Sequence, residues 1–348
     1  MPAFFPFQWH ITDACDQRCK HCYIYAEGAP AQVTMAYDVA ERVVAQMLEL
    51  CERLGREPYV YLTGGDPILH PDFWRIMALL HDRGIRTAIM GNPFHLTPEV
   101  CAHMRELGCV KYQVSLDGLC ETHDAFRKPG SFDTTLAAIP VIQGAGMWAN
   151  VMTTVSSRNM SEVPELIDLV ASLGVDVYAF GRYCPTSGQR AGEFHMEPLA
   201  YRALLVECQQ RMRRQRERGA RTYFYPKDHL WRLLEWEQGT FVIPEAADPH
   251  SAHDGCHCGI GHLTILPTGV VHACRRMESP VGDVSRETLS EIYFGEHLAE
   301  YRCIDHFEKC VECPLHGWCR GCPAVPFGYT GDRHAPDPQC WYGIASKR

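Results

Sequence analysis

The spacing of the cysteines constrains this chain more than any other feature. Cys15, Cys19 and Cys22 form a Cys-x3-Cys-x2-Cys run inside ITDACDQRCKHCY. Cys258 is followed by ten residues, Gly269, four residues and Cys274. Then come Cys310-x2-Cys313-x5-Cys319-x2-Cys322 and, after seventeen residues, Cys340. The chain holds 18 cysteines in 348 residues. A secreted protein would pair them as disulfides. The opening stretch MPAFFPFQWHI, however, has no basic n-region and no cleavage site. The expected compartment is the cytoplasm, where reduced thiols at regular spacing serve metals. No run of about 18 apolar residues occurs, so no membrane span is expected. The net charge of -9 argues against a broad nucleic-acid surface.

Residues 1–181 alternate short apolar runs with amphipathic stretches. Candidate strands are Phe7–Thr12, Tyr59–Thr63, Arg86–Met90, Lys111–Leu116, Trp148–Val155 and Val175–Phe180. Ala40, Val43, Val44, Met47, Leu48, Cys51 and Leu54 recur near a 3.6-residue period and predict a helix. Further helical patterns cover about 72–83, 97–106, 132–145 and 161–172. This alternation implies an α/β fold with a parallel sheet. Six βα units are too few for a closed eightfold barrel, so an open partial barrel is expected. A Pro/Gly segment over 184–193 precedes helices at about 198–218 and 226–238, and 242–255 reads as a linker. The residues from 256 onward show little periodicity and predict a segment without a large apolar core, stapled by metal.

Three thiolates just after the first strand suit a [4Fe–4S] cube with one iron left open. The competing readings are a zinc site with a distant fourth ligand, or three buried cysteines. Thr63-Gly64-Gly65-Asp66-Pro67 closes the second strand, and two glycines there permit close backbone approach. Taken alone, GGDP is an ordinary turn. Ser115 ends the fourth strand in QVSLDG, and Arg127 follows in ETHDAFRKPGSF. An arginine suits a bidentate carboxylate contact; the bland alternative is a surface residue. Asn92 and Asn159 stand near the ends of the third and fifth strands, where ligands collect. Zinc knuckles compete with clusters for the C-terminal array. Cys51, Cys101, Cys109, Cys120, Cys184, Cys208 and Cys303 read mostly as small buried apolar residues; for Cys184, after the sixth strand, the alternative is a place at the active site. His10, His70, His123 and His262 read as polar core or surface groups. The basic run Arg211–Arg221 reads as a solvated helix end, with docking of an acidic peptide as the alternative.

These motifs, in this order, resemble the radical SAM superfamily with a C-terminal SPASM domain. The resemblance implies a partial (β/α)6 TIM barrel core over 1–220, a bridging helix and linker over 221–252, and a cysteine-rich SPASM domain over 253–348. By resemblance, Cys15, Cys19 and Cys22 hold the cluster that chelates S-adenosyl-L-methionine (SAM), and His21 takes a position near its adenine. Gly64, Gly65 and Asp66 match the family's Gly-Gly-Glu-Pro, which holds the SAM ammonium; here Asp replaces Glu, one methylene shorter. Ser115 and Arg127 match positions that bind the SAM carboxylate. The outer auxiliary cluster takes Cys310, Cys313, Cys319 and Cys340, and the inner one Cys258, Cys274 and Cys322. Either Cys256 closes the inner site or one iron there stays open. The Cys319–Cys322 step has two intervening residues where the family usually has three.

The resemblance implies three [4Fe–4S] clusters and reductive cleavage of SAM to a 5′-deoxyadenosyl radical. The implied substrate is a ribosomally made precursor peptide, altered by a crosslink such as a thioether, by epimerisation or by oxidation. An external donor such as flavodoxin or ferredoxin would supply electrons. Only fourteen residues precede Cys15, so leader binding is expected from the body of the enzyme or from a separate leader-peptide-binding protein. Sulfatase-maturing relatives carry an Asp base directly after the second array cysteine; Arg275 stands here, so sulfatase activation is not expected. Two alternatives remain. One is a tetrapyrrole side-chain-modifying relative. The other is a non-catalytic iron–sulfur carrier, which would have no need of a SAM pocket.

Overall fold

The computed structural model describes residues 3–25, 32–186, 191–248 and 250–344. Residues 187–190 of the expected Pro/Gly segment and residue 249 of the expected linker lie outside these. Each expected strand forms: β1 (Phe4–Thr12), β2 (Glu57–Gly64), β3 (Arg86–Met90), β4 (Cys109–Ser115), β5 (Trp148–Val155) and β6 (Val177–Arg182). The helices between and after them are α1 (Tyr37–Leu54), α2 (Phe73–Asp82), α3 (Pro98–Glu106), α4 (Cys120–Phe126), α5 (Ser131–Gly144), α6 (Val163–Ser172) and α7 (Pro198–Glu217). A short strand, β7 (Tyr223–Tyr225), and α8 (Leu230–Glu237) follow. No described helix is long and apolar enough to cross a membrane.

Local chemistry accounts for these elements. In α1 the buried residues Ala40, Val43, Val44, Met47, Leu50 and Cys51 form one stripe. Burying each larger member contributes about 1.5–3 kcal/mol, so an Asp at Val44 would break the helix's seat. The helix stops at Gly55, whose φ of 61° lets its N–H reach the carbonyls of Cys51 and Glu52. Helix α3 starts at Thr97, which accepts a hydrogen bond from Val100 N, with Pro98 in the first turn. Strand β5 alternates buried and less buried residues throughout, the pattern of a strand with one covered face.

The chain divides into two compact units. The first comprises residues 1–115, 124–150 and 258–302. Its strands run in the order β10-β9-β8-β1-β2-β3-β4, where β8 is Leu263–Ile265, β9 Val270–His272 and β10 Pro280–Asp283. Parallel pairs join β8 to β1, β1 to β2, β2 to β3 and β3 to β4. The carboxyl ends of β1 to β4 therefore share one edge. The three late strands are a departure from the expected coreless segment: Leu263, Ile265 and Val271 are fully buried. Gly269, with φ of 93°, turns the β8–β9 hairpin. That explains a glycine at fixed distance between Cys258 and Cys274.

The second unit comprises residues 116–123, 151–257 and 303–348. There β6 pairs in parallel with β7. Asp168 on α6 receives Arg211 and Gln215 of α7, and Arg221 donates to the Gly174 carbonyl. Arg211 is thus drawn into packing, while Arg213, Arg214, Arg216, Arg218 and Arg221 stay exposed, as a solvated helix end would. Arg182, at the end of β6, is fully buried between Asp228 at 3.0 Å and Asp337 at 2.9 Å.

Candidate cluster and cofactor centre

In the first unit, the loop after β1 carries Cys15, Cys19 and Cys22, all partly exposed. Their thiols gather polar partners. Asn92 Nδ2 donates to Cys15 Sγ at 3.3 Å and to Asp16 Oδ1 at 2.9 Å. Gln17 N donates to Cys15 Sγ at 3.4 Å, and an Arg127 guanidinium nitrogen to Cys19 Sγ at 3.7 Å. Such N–H donors stabilise thiolates and cluster sulfurs alike. Lys20 N bonds the Phe126 carbonyl at 2.9 Å, and the His21 ring meets Phe126 edge-on at 5.4 Å.

Gly64 and Gly65 serve this loop directly. Gly65 N donates to the Thr12 carbonyl at 2.8 Å and Asp66 N to the Ala14 carbonyl at 2.7 Å. A Cβ on Gly65 would collide with the carbonyls of Asp13 and Ala14. The glycine pair therefore lets the end of β2 lie against the cysteine loop. The expected close approach exists, and it is made to backbone.

Asp66 is fully buried, and no side chain hydrogen-bonds either carboxylate oxygen. Burial pushes its carboxyl up to about 7, and the charge of Asp16 adds to the rise, against the pull of the Asn92 and Ile68 N–H groups. A buried carboxylate with no side-chain or charged partner is costly and calls for a cation, as the ammonium of SAM would be. His95 and Asp16 bring ligand atoms within 4.8 Å of it. Ser115 ends β4 half-buried, on the same edge.

Cys258 and Cys274 also belong to this unit, flanking the β8–β9 hairpin. Ser279 pins the turn after Cys274, accepting from its N–H at 3.0 Å and donating to its carbonyl at 2.9 Å.

In the second unit, Cys310, Cys313, Cys319 and Cys340 line one cavity with Leu230, Leu233 and Tyr342. Burial pushes the Cys310 thiol up to about 12 and Cys313 up to about 11, with the neighbouring cysteines adding to both. Four thiolates cannot ionise together there without a cation, so the donor set suits a cluster. Arg320 and Gly321 both adopt left-handed backbone, with φ of 58° each. This tight pair makes the shortened step from Cys319 to Cys322. Arg320 offsets its strain by donating to the Cys256 carbonyl.

Cys256 and Cys322 are buried in the same unit. The His229 side chain hydrogen-bonds both. Burial lowers its affinity for a proton, but those two sulfurs outweigh burial and hold it up at about 10. No cysteine spacing announced His229. Asn159 binds backbone to backbone. Its side chain donates to the Asp117 and Thr154 carbonyls at 2.7 and 2.8 Å and accepts from Ser156 N at 2.8 Å. Cys51, Cys101, Cys109 and Cys208 are buried as expected, whereas Cys120 is exposed.

Family models decide the affiliation. The radical SAM superfamily model matches residues 9–170, and the SPASM iron–sulfur cluster-binding domain matches 256–323. This chain belongs to the radical SAM superfamily and carries a SPASM domain. Its α/β core is of the TIM-barrel-like radical SAM kind, and membership implies iron–sulfur clusters, SAM and radical chemistry. An AdoMet-dependent heme synthase of Methanosarcina barkeri is 28% identical over 349 residues, covering 97% of each chain. The mycofactocin maturase MftC of Mycolicibacterium smegmatis is 31% identical over 354 residues, covering 96% of this chain and 82% of that protein. Streptococcus suis SuiB bound to S-adenosylmethionine shares the fold. Its TM-score is 0.74 at 15% identity, covering 97% of this chain and 77% of SuiB.

Proposed function

We propose that this radical SAM enzyme modifies a ribosomally made peptide. The observation that supports it most is the cavity lined by Cys310, Cys313, Cys319 and Cys340, a complete four-thiolate site of the kind that peptide-modifying SPASM enzymes use. The 31% identity to a mycofactocin maturase adds weight. In this reading Cys15, Cys19 and Cys22 hold the cluster that binds SAM, and two auxiliary clusters occupy the array, three [4Fe–4S] clusters in all. Residues 1–220 form the core, 221–252 the bridge and 253–348 the auxiliary domain. The enzyme works in the cytoplasm with a flavodoxin or ferredoxin as donor, and a separate protein or its own body holds the leader.

A cluster held by Cys15, Cys19 and Cys22 with SAM bound would supply reductive SAM cleavage and the hydrogen-abstracting chemistry that follows from it. The chain's own residues bind and orient. Asp66 would receive the SAM ammonium and Arg127 and Ser115 its carboxylate, while the backbone of Gly64 and Gly65 holds the strand end against the cysteine loop. Asn92 steadies Cys15 with an N–H.

A second reading is modification of a tetrapyrrole. It is favoured by full-length similarity to proteins named heme synthases. One experiment separates the two. The reconstituted enzyme is incubated with SAM, a reductant and either the short peptides encoded beside its gene or an iron porphyrin with free propionates. A mass change in a peptide supports the proposal. A mass change confined to the porphyrin replaces it with the second reading.

A further inference from the structure

Arg275 follows Cys274 on a turn that Ser279 fixes at both the N–H and the carbonyl of Cys274. Its guanidinium lies at the β1–β3 edge of its own unit. One nitrogen lies 4.0 Å from Met90 Sδ at the end of β3, and its charge is felt by His10 near the end of β1 and by Tyr23 just after Cys22. The side chains it meets directly carry no negative charge, although Asp13, Cys22 and Cys274 lie near enough to act on Tyr23 as well. Burial, with Arg275 itself and His272 adding, holds His10 down at about 3, so its imidazole is uncharged at neutral pH. Tyr23 presents a phenol 3.4 Å from His10 Nε2, and Met90 a thioether. Among the described residues no acidic side chain pairs with Arg275.

Other sheltered arginines in the chain have their acceptors. Arg182 has Asp228 and Asp337, Arg211 has Asp168, and Arg302 has the Gly259 and Tyr293 carbonyls. A half-buried guanidinium with no carboxylate partner among the described residues costs solvation that an incoming anion repays. Its planar fork matches a carboxylate with two parallel hydrogen bonds. The edge it occupies is the one that carries the cysteine loop, Gly64–Asp66 and Asn92, where the reaction would take place.

We propose that Arg275 anchors a carboxylate of the substrate at this edge, fixing which part of the substrate faces SAM. The inference rests on the reading that a substrate is modified here and deepens it by naming the chemistry recognised: a free carboxylate. Its source is a propionate on a tetrapyrrole, or an acidic side chain or C-terminus on a peptide.

The test uses the full-length enzyme, reconstituted anaerobically and loaded with SAM, as wild type, Arg275→Lys and Arg275→Gln. Iron content is measured for each. Affinity is then titrated for four probes. Two are iron-coproporphyrin III and its tetramethyl ester. The other two are a peptide encoded beside the gene, as the free acid and with every carboxylate amidated. We expect one free-acid probe to bind wild type at least tenfold more tightly than Arg275→Gln, with Arg275→Lys between them. Its blocked counterpart should bind all three proteins equally weakly. Success with the porphyrin alone would keep Arg275 as the anchor while removing the peptide reading. Binding of a free acid that Arg275→Gln leaves unchanged overturns the inference, even if a peptide is modified. So does a variant that shifts only a cluster's reduction potential. Failure of both free acids to bind wild type rejects it as well.

Discussion

Asn92 donates its side-chain amide to Cys15 Sγ at 3.3 Å while holding Asp16 at 2.9 Å. The pair joins the residues just past β3 to the cysteine loop after β1, 77 positions away in sequence. An N–H aimed at a cluster sulfur favours the reduced state, because it stabilises the added negative charge. Asn92→Leu should therefore lower the potential of the first cluster while leaving its iron in place. A hydrogen bond of about 0.5–1.5 kcal/mol corresponds to roughly 20–60 mV for one electron. Potentiometric titration followed by electron paramagnetic resonance reads the shift; an unmoved midpoint removes Asn92 from the account.

Asp66 gives a pH dependence with a definite sign. Its carboxyl is raised from 3.8 to about 7 by burial, with Asp16 contributing. The folded chain thus holds this proton more tightly than the unfolded one. The associated stability is complete below about 4 and is lost as pH rises through 7. The ammonium of SAM needs the ionised form, so SAM affinity should climb between pH 6 and 8. Asp66→Asn should flatten that climb and weaken binding at pH 8 by about 1.5–3 kcal/mol, roughly ten- to a hundredfold. Calorimetric titration at several pH values measures both effects, and a variant with the same slope as wild type contradicts the assignment.

Much of this was legible in sequence, and the gaps have physical causes. Strands β3 and β5 have the bounds their apolar runs announced. Strands β8, β9 and β10 span three or four residues each, too short for a period to show, so the buried hairpin of Leu263, Ile265 and Val271 went unannounced. The motif Gly64-Gly65-Asp66 was visible, but the reason for its glycines lies in the Thr12–Ala14 backbone that they touch. Asn92 and Asn159 read alike, each near a strand end. Only tertiary contacts separate the first, on a thiol, from the second, spent on three backbone groups. Nothing in local spacing marks His229, because its partners Cys256 and Cys322 are distant in the chain.

The Arg182 network offers a test of stability. Its guanidinium is fully buried between Asp228 and Asp337, and Gln339 accepts at 3.3 Å beside Cys340. Removing one partner of such a group leaves uncompensated buried charge, at a cost of about 3–5 kcal/mol. Arg182→Leu should lower the anaerobic unfolding free energy by that amount and loosen the chain around Cys340. Adding Asp228→Asn and Asp337→Asn should recover part of the loss. A single variant as stable as wild type would show that the network contributes nothing net.

The central claim is that Cys15, Cys19 and Cys22 hold the cluster that cleaves SAM. The most direct measurement is 5′-deoxyadenosine formed from SAM under dithionite by the Cys15→Ala, Cys19→Ala, Cys22→Ala variant. Iron is counted in the same sample. The account predicts that 5′-deoxyadenosine disappears while the iron held by the C-terminal cysteines remains. Production at the wild-type rate by that variant would contradict it.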